Sequence, residues 1–271
     1  MVKAQGVQEF VIELTAGSNS AAACWSVCVK HSMGPAMKTP NLSRRFYKAV
    51  DIAPVETGFA VRLDQATPKT PAKKPLILPT EAAARLVAAE WDAQSETIDP
   101  FAMPVTRLVN VALDRAAETR HAMVGEVVKY AGTDLVCYRA TTPASLVAAQ
   151  AAAWDPLLHW AEAHLGVQLV TTTQALAIEQ PTEALARIEA AAQALDDLRL
   201  TALAFANGLT GSAIVALALI HRHIDGETAF RAIRVEEDWQ AERWGRDPDE
   251  EKIANARRID LIAAEKLVSA L

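Results

Sequence analysis

Three cysteines in 271 residues leave little scope for cross-linking or thiolate metal chemistry. Cys24 and Cys28 would sit one helical turn apart, but no histidine or further cysteine completes a zinc set around them. With Cys137 the count is odd and the positions scattered, which suits a reducing compartment. Long apolar runs are absent too: no stretch reaches the roughly 18 to 20 residues that a bilayer span needs. The best candidate, Ser212 to Ile220, stops at His221-Arg222-His223 and reads as a buried helix. Nor is there a basic run. The net charge is −6, and Lys73-Lys74 and Arg257-Arg258 stand as isolated doublets on solvated faces, so nucleic acid is not an expected partner.

Catalytic fingerprints are also missing. Gly208-Leu209-Thr210-Gly211-Ser212 lacks the glycine spacing and lysine of a phosphate loop and reads as a turn between helices. His221 and His223 would point apart on a helix, and His159 and His164 miss the i, i+4 spacing of a metal-binding pair. No nucleophile elbow of the G-x-S-x-G type occurs. Neither a cofactor nor a metal is expected, and no small-molecule substrate.

What the chain does have is 51% hydrophobic and 22% charged residues, the balance of a soluble globular protein. Residues 1–40 differ from the rest. They lack a basic start with an apolar core, and Glu9 and Glu13 without arginine fit a mitochondrial presequence poorly. That extension is expected to be disordered or a mis-assigned start, with Met33 or Met37 the true one. From Arg44 the pattern turns β-like. Phe46, Val50 and Ile52 fall on one face, Arg45, Tyr47 and Asp51 on the other, and Phe59, Val61 and Leu63 alternate beyond a Pro54–Gly58 turn. Leu76-Ile77-Leu78 adds a short strand among prolines that mark sheet edges.

Thr80 caps a helix to about Gln94, Met103-Pro104 opens another, and a third runs near His121 to Tyr130. Leu135 to Tyr138 reads as a strand returning to the sheet. Beyond Thr142 the chain is alanine-rich and helical. Thr142-Pro143 and Asp155-Pro156 each open a helix, the second stopping at Gly166. Further helices are expected over about 182–195, 197–206, 211–221 and 227–244, with breaks at Asn207-Gly208 and Asp225-Gly226. The fold class is therefore α+β: a small β-rich domain with a few helices over 42–140, then an all-α domain over 141–271.

The 227–244 helix holds the informative anomaly. Phe230, Ile233, Gln240, Ala241 and Trp244 would share one stripe, with Glu237 near its middle, while Ala232, Val235 and Trp239 line the other side. A carboxylate inside an apolar stripe costs several kcal/mol unless paired. Either Glu237 is buried against an arginine such as Arg85 or Arg107, or Glu236, Glu237, Trp239, Gln240 and Trp244 form a contact patch for another protein. Trp91 poses the same choice between core packing and recognition anchor; Trp154 and Trp160 read as core. A different class of function, a hydrolase-like enzyme with Glu237 as general base, would require a second convergent polar group that the sequence does not nominate.

Short blocks spread from about residue 44 to 250 resemble the assembly chaperones that act on the alpha subunit of F1-ATPase. They are Arg45-Phe46-Tyr47-Lys48, Leu63-Asp64 with Lys69-Thr70-Pro71, Leu78-Pro79-Thr80, Glu90-Trp91 with Gln94, Met103-Pro104 with Thr106, and Asp114. Asp134 to Arg139, Gln150 and Trp154-Asp155-Pro156-Leu157-Leu158 continue the pattern, and Thr210-Gly211-Ser212, Ala229, Glu236-Glu237, Gln240 and Trp244-Gly245 close it. One departure stands out: the family usually carries Gly-Arg after Leu63-Asp64, where this chain has Gln65-Ala66. The resemblance implies a β-rich domain joined to a helical one, no catalytic activity, and binding of unassembled alpha subunits until the hexamer forms with beta. It implies bacterial cytoplasm, or the mitochondrial matrix in a eukaryote. It further implies an important acidic residue at Glu236-Glu237, of which Glu237 has the anomalous position.

Overall fold

Two β-rich runs separated by Glu56-Thr57 close the hairpin that opens the described part of the chain. The structure, a computed structural model, describes residues 42–174 and 176–271, so the expectations for residues 1–40 lie outside it. Strands β1 (Val50–Val55) and β2 (Gly58–Leu63) pair antiparallel, with Val50 opposite Leu63 and Val55 opposite Gly58. Strand β3 (Ile77–Leu78) adds antiparallel to β2, so β1 and β3 are the edges of a three-stranded sheet. Gly58 has φ +142°, and a Cβ there would lie 2.2 Å from the Leu78 carbonyl oxygen. Only glycine lets the hairpin approach β3 this closely.

The alternation expected from Phe46 onward fails before Val50. Phe46 is 68% exposed, whereas Tyr47 is buried at 4% and packs with Leu63, Ile98 and Met103. Residues 44–49 are not strand, so the period of two does not reach back to them. Asp64 draws the chain into a bend by accepting from Lys48 N and Ala49 N at 3.1 and 2.9 Å. The same aspartate, at φ +55°, opens the tight turn that Gln65-Ala66 completes, where Leu63 and Ala66 exchange two backbone hydrogen bonds.

Helix α1 (Glu81–Asp92) starts at Thr80, whose hydroxyl accepts from Ala83 N, and packs on β1 and β2. Helix α2 (Pro104–Ala131) is a single 28-residue rod where two helices were expected. Nothing breaks it between Arg115 and Arg120, and Ala112, Ala116, Met123, Val124 and Val127 keep one buried stripe through the polar stretch. Its first turn has no cap of its own; the Glu90 carboxylate of α1 accepts from Val105 N and Thr106 N at 2.8 and 2.7 Å.

Leu135–Cys137 is a single 3-10 turn, not a strand of the sheet. Asp134, wholly buried, accepts from Val136 N and from Ile214 N at 3.2 and 3.0 Å, which folds the backbone back on itself. Tyr138 then forms a parallel bridge with Thr172 instead of joining β1–β3. Helix α3 (Ala144–Leu165) runs through Pro156, where a new helix was expected, and ends at Gly166 (φ +65°) as anticipated. The proline removes one N–H, but burial of Trp154, Leu157, Trp160 and Ala161 and a 2.8 Å Asp155–Arg139 ion pair hold both sides of it in line.

Helices α4 (Thr182–Gln193) and α5 (Asp197–Thr210) follow, and α5 continues through Asn207-Gly208 to end at Gly211, which takes the left-handed cap at φ +65°. Helix α6 (Ala213–Ile220) is buried at every position. The stretch expected as one helix over 227–244 is two: α7 (Gly226–Ile233) and α8 (Val235–Trp244), parted at Arg234 (φ −107°, ψ 11°). A final helix, α9 (Pro248–Ala270), was not anticipated. It packs on α7, α5, α2 and α1, and Gly226 admits its backbone: a Cβ there would fall 2.7 Å from Ile262 Cα. Arg258 is not free either, but bonds Glu227 at 2.6 Å. The architecture is α+β, with a main apolar core running from Val61 on β2 to Val268 on α9 and a smaller cluster around Tyr47, Leu63, Ile98 and Met103.

Candidate functional site

Helix α8 differs from its neighbours in burying no residue at all. Its acidic first turn, Glu236, Glu237 and Asp238, suits the positive end of the helix dipole. Gly245, at φ +89°, ends it. With Arg234 on one side and Gly245 on the other, it is a ten-residue segment seated against α3.

Two interleaved stripes, each with i, i+3, i+7 spacing, divide the helix. Glu236, Trp239 and Arg243 face α3. Gln150 of α3, itself buried, donates from Nε2 to Glu236 Oε1 at 2.6 Å while its Oε1 accepts from Ala140 N at 2.8 Å. Ser145 Oγ accepts from Trp239 Nε1 at 3.1 Å and from Arg243 Nη2 at 3.2 Å. The Arg243 guanidinium also lies 3.5 Å over the Trp239 ring, a cation–π stack.

Glu237, Gln240 and Trp244 form the second stripe, rotated about 100° from the first. Trp244 is 74% exposed and meets Trp239 edge-on, ring centroids 6.0 Å apart. Gln240 is exposed and Glu237 half-buried. Among the described residues Glu237 has no hydrogen-bond or ion-pair partner. The two arginines that might have held it are engaged elsewhere: Arg85 with Glu81 at 2.5 Å, Arg107 with Asp260 at 2.7 Å. The stripe expected across Phe230, Ile233, Gln240 and Trp244 does not exist as one surface, because the break at Arg234 resets the helical phase.

Asp238, on a third side, ties α8 to the start of α9. Arg234 reaches Asp238 at 3.4 Å and Glu250 of α9 at 3.6 Å, and Arg246 bridges Asp238 and Glu251 at 3.6 and 3.1 Å. Sequence reasoning did not single out Ser145, Arg234 or Arg243. The signal that could have found Arg243 is its place seven residues after Glu236 and four after Trp239.

Trp91 sits apart from this group on α1, edge-on to Tyr47 at 5.8 Å, with Tyr47 Oη donating to its carbonyl at 2.5 Å. Trp154 and Trp160 are buried as expected. The histidines were expected to diverge, but His164, His221 and His223 gather around the Trp160 ring at 5.9, 5.8 and 5.1 Å, because the chain has left α6 by His221. Among the described residues no group of three or more His, Cys, Asp or Glu could hold a metal ion. Cys137 is buried, and burial pushes its thiol up to about 12, which makes it inert at neutral pH.

The family model described as ATP12 chaperone protein matches residues 44–162. The crystal structure of Atp12 from Paracoccus denitrificans is 42% identical, superposes with a TM-score of 0.79, and is matched over 98% of its chain and 84% of this one. The chain belongs to the ATP12 chaperone family. An aspartate-to-lysine mutant of that Paracoccus protein matches equally, at 42% identity and a TM-score of 0.78 over 97% of its chain and 84% of this one. The mitochondrial atp12 protein of Schizosaccharomyces pombe is 26% identical over 238 residues, 83% of this chain and 82% of its own. ATP12 proteins are ATP synthase assembly chaperones and not enzymes, so the general-base role for Glu237 is set aside. The family-model match ends in α3, so α8 is reached only by the longer matches to whole relatives.

Proposed function

We propose that this protein binds the unassembled alpha subunit of F1-ATPase, keeps it from aggregating and yields it to the beta subunit. Membership of the ATP12 family supports the assembly role. The observation that supports the binding site is the Glu237–Gln240–Trp244 stripe, an exposed indole on the same helix face as a carboxylate that nothing within the described chain satisfies. An alpha subunit on its own exposes the surface meant for beta, of the apolar kind that obligate interfaces bury. A holder must cover such a surface and still be displaced. A single helix face with one aromatic anchor and a wet carboxylate is suited to that intermediate affinity.

No described helix is long and apolar enough to cross a membrane. The relatives come from a mitochondrion and from a bacterium, and we place this chain's work in the bacterial cytoplasm or the mitochondrial matrix accordingly. Co-expression with the cognate alpha subunit tests the function. Alpha is expected to stay soluble and co-purify with the wild-type chain, and to be lost with Glu237→Lys while the thermal midpoint of the variant is unchanged. Alpha that is equally insoluble with and without the chaperone would remove the proposal.

A further inference from the structure

We infer that the outer stripe of α8 recognises an arginine side chain of the partner protein, its guanidinium paired with the Glu237 carboxylate and laid against the Trp244 indole. The inference rests on the proposed use of α8 as the partner surface, and it names the chemistry that this surface takes.

The first ground is that Glu237 lacks a cation in a neighbourhood full of them. Arg234 is held by Asp238 and Glu250, Arg246 by Asp238 and Glu251, and Arg243 by the Trp239 carbonyl at 2.7 Å and Ser145. Each nearby guanidinium already has a partner. Glu237 is half-buried, so part of its hydration is lost with no internal hydrogen bond to offset the loss. A cation brought from outside would restore it.

Geometry gives the second ground. Glu237 and Trp244 lie seven residues apart, about 10 Å along the helix axis. Helical side chains lean toward the N-terminus, so a ring at position 244 can reach back over Gln240 toward Glu237. A guanidinium can fork onto the carboxylate, give a further N–H to the Gln240 amide oxygen and lie flat on the indole. A lysine ammonium, a compact and strongly hydrated charge, can pair with the carboxylate but can neither fork onto it nor lie flat on the indole.

Third, the molecule already uses this contact on itself. Arg243 stacks 3.5 Å over Trp239, and Arg139 lies 5.2 Å over Trp154. Among the described residues no guanidinium lies over Trp244, which Trp239 meets edge-on and which is otherwise open. Of the two adjoining indoles on α8, one carries a guanidinium of the same chain and the other is exposed.

The test uses the full chain with its indole N–H resonances assigned by single Trp→Phe variants, titrated with the tripeptides Gly-Arg-Gly, Gly-Lys-Gly and Gly-citrulline-Gly. The arginine peptide should shift the Trp244 resonance, the lysine peptide should bind about fivefold more weakly, and the citrulline peptide should leave it in place. Glu237→Gln should abolish the arginine shift. An equal response to citrulline, or an arginine shift that survives Glu237→Gln, overturns the inference. A second arm measures affinity for purified alpha subunit, where Glu237→Gln should cost roughly tenfold while Glu237→Asp and Trp244→Phe retain most binding. Equal affinity of wild type and Glu237→Gln also overturns it. If instead the wild-type chain fails to hold alpha while the tripeptide result stands, the alpha-subunit proposal falls and the arginine site survives.

Discussion

Helices α6 and α8 are close in sequence and opposite in character. All eight residues of Ala213–Ile220 are buried, and α6 touches α2, α3, α5, α7 and α9. None of the ten residues of Val235–Trp244 is buried, and side-chain bonds from one stripe fasten α8 to α3. The contrast separates two ways of fixing a helix. Burial holds α6 from every direction and leaves it no surface to offer. Hydrogen bonds to α3 and the ion pairs of Asp238 toward α9 hold α8 from two sides, which leaves the stripe of Glu237, Gln240 and Trp244 open.

Substitutions graded between the two helices should break or sharpen this contrast. The largest effect belongs to α6. Leu217→Ala removes a fully buried side chain and should lower unfolding free energy by about 2–5 kcal/mol in urea titration. Alpha binding by the fraction still folded should be unchanged. A loss below about 1 kcal/mol would mean that α6 is not the keystone its burial indicates.

Asp134, which caps α6 from the 3-10 turn, comes next. Burial pushes its carboxyl up to about 6 from the usual 3.8, against the opposing pull of the Ser212 hydroxyl and the Ile214, Val136 and Ala213 amides. A folded-state value above the unfolded one means that the native state binds the proton more tightly. The contribution is therefore full below about pH 4 and is lost as pH rises through 6, a swing of roughly 3 kcal/mol. Unfolding titrations from pH 4 to 7 should show this slope, and Asp134→Asn should flatten it.

Gln150→Ala loosens α8 at its inner stripe. The change strips a hydrogen bond from Glu236 and from the Ala140 amide, at a cost of about 1–3 kcal/mol. It should also speed amide exchange in α8 while α6 stays protected. The smallest stability effect is expected at the outer stripe: Glu237→Lys should stay within about 0.5 kcal/mol of wild type, yet lose alpha. If that variant unfolds readily, the free-surface account of α8 fails.

Much of the framework is legible in the chain because it depends on near neighbours. The hairpin follows from alternation about the Glu56-Thr57 turn, the start of α1 from Thr80, the end of α3 from Gly166, and the burial of α6 from its unbroken apolar run. Errors arose where distant residues overrode local signals. Pro156 did not break α3, since Trp154 and Arg139 secure its flanks, and Asn207-Gly208 did not end α5. Helix α9 is not legible in the chain because its charged first half masks the Leu261, Ala264, Leu267, Val268 stripe. Tyr47 replaced Phe46 in the core through contacts with Ile98 and Met103, some fifty residues away.

The candidate site divides along the same line. Local sequence determined that 235–244 would be helical, though within one longer helix over 227–244, since propensity acts within a few residues while the break at Arg234 does not follow from it. Which of its faces meets the core could not be read from periodicity, because Glu236 and Glu237 head stripes of identical spacing. Tertiary structure decided it: Gln150 and Ser145 of α3 bond Glu236, Trp239 and Arg243, and these contacts between elements some ninety residues apart lie beyond what periodicity within one helix can fix.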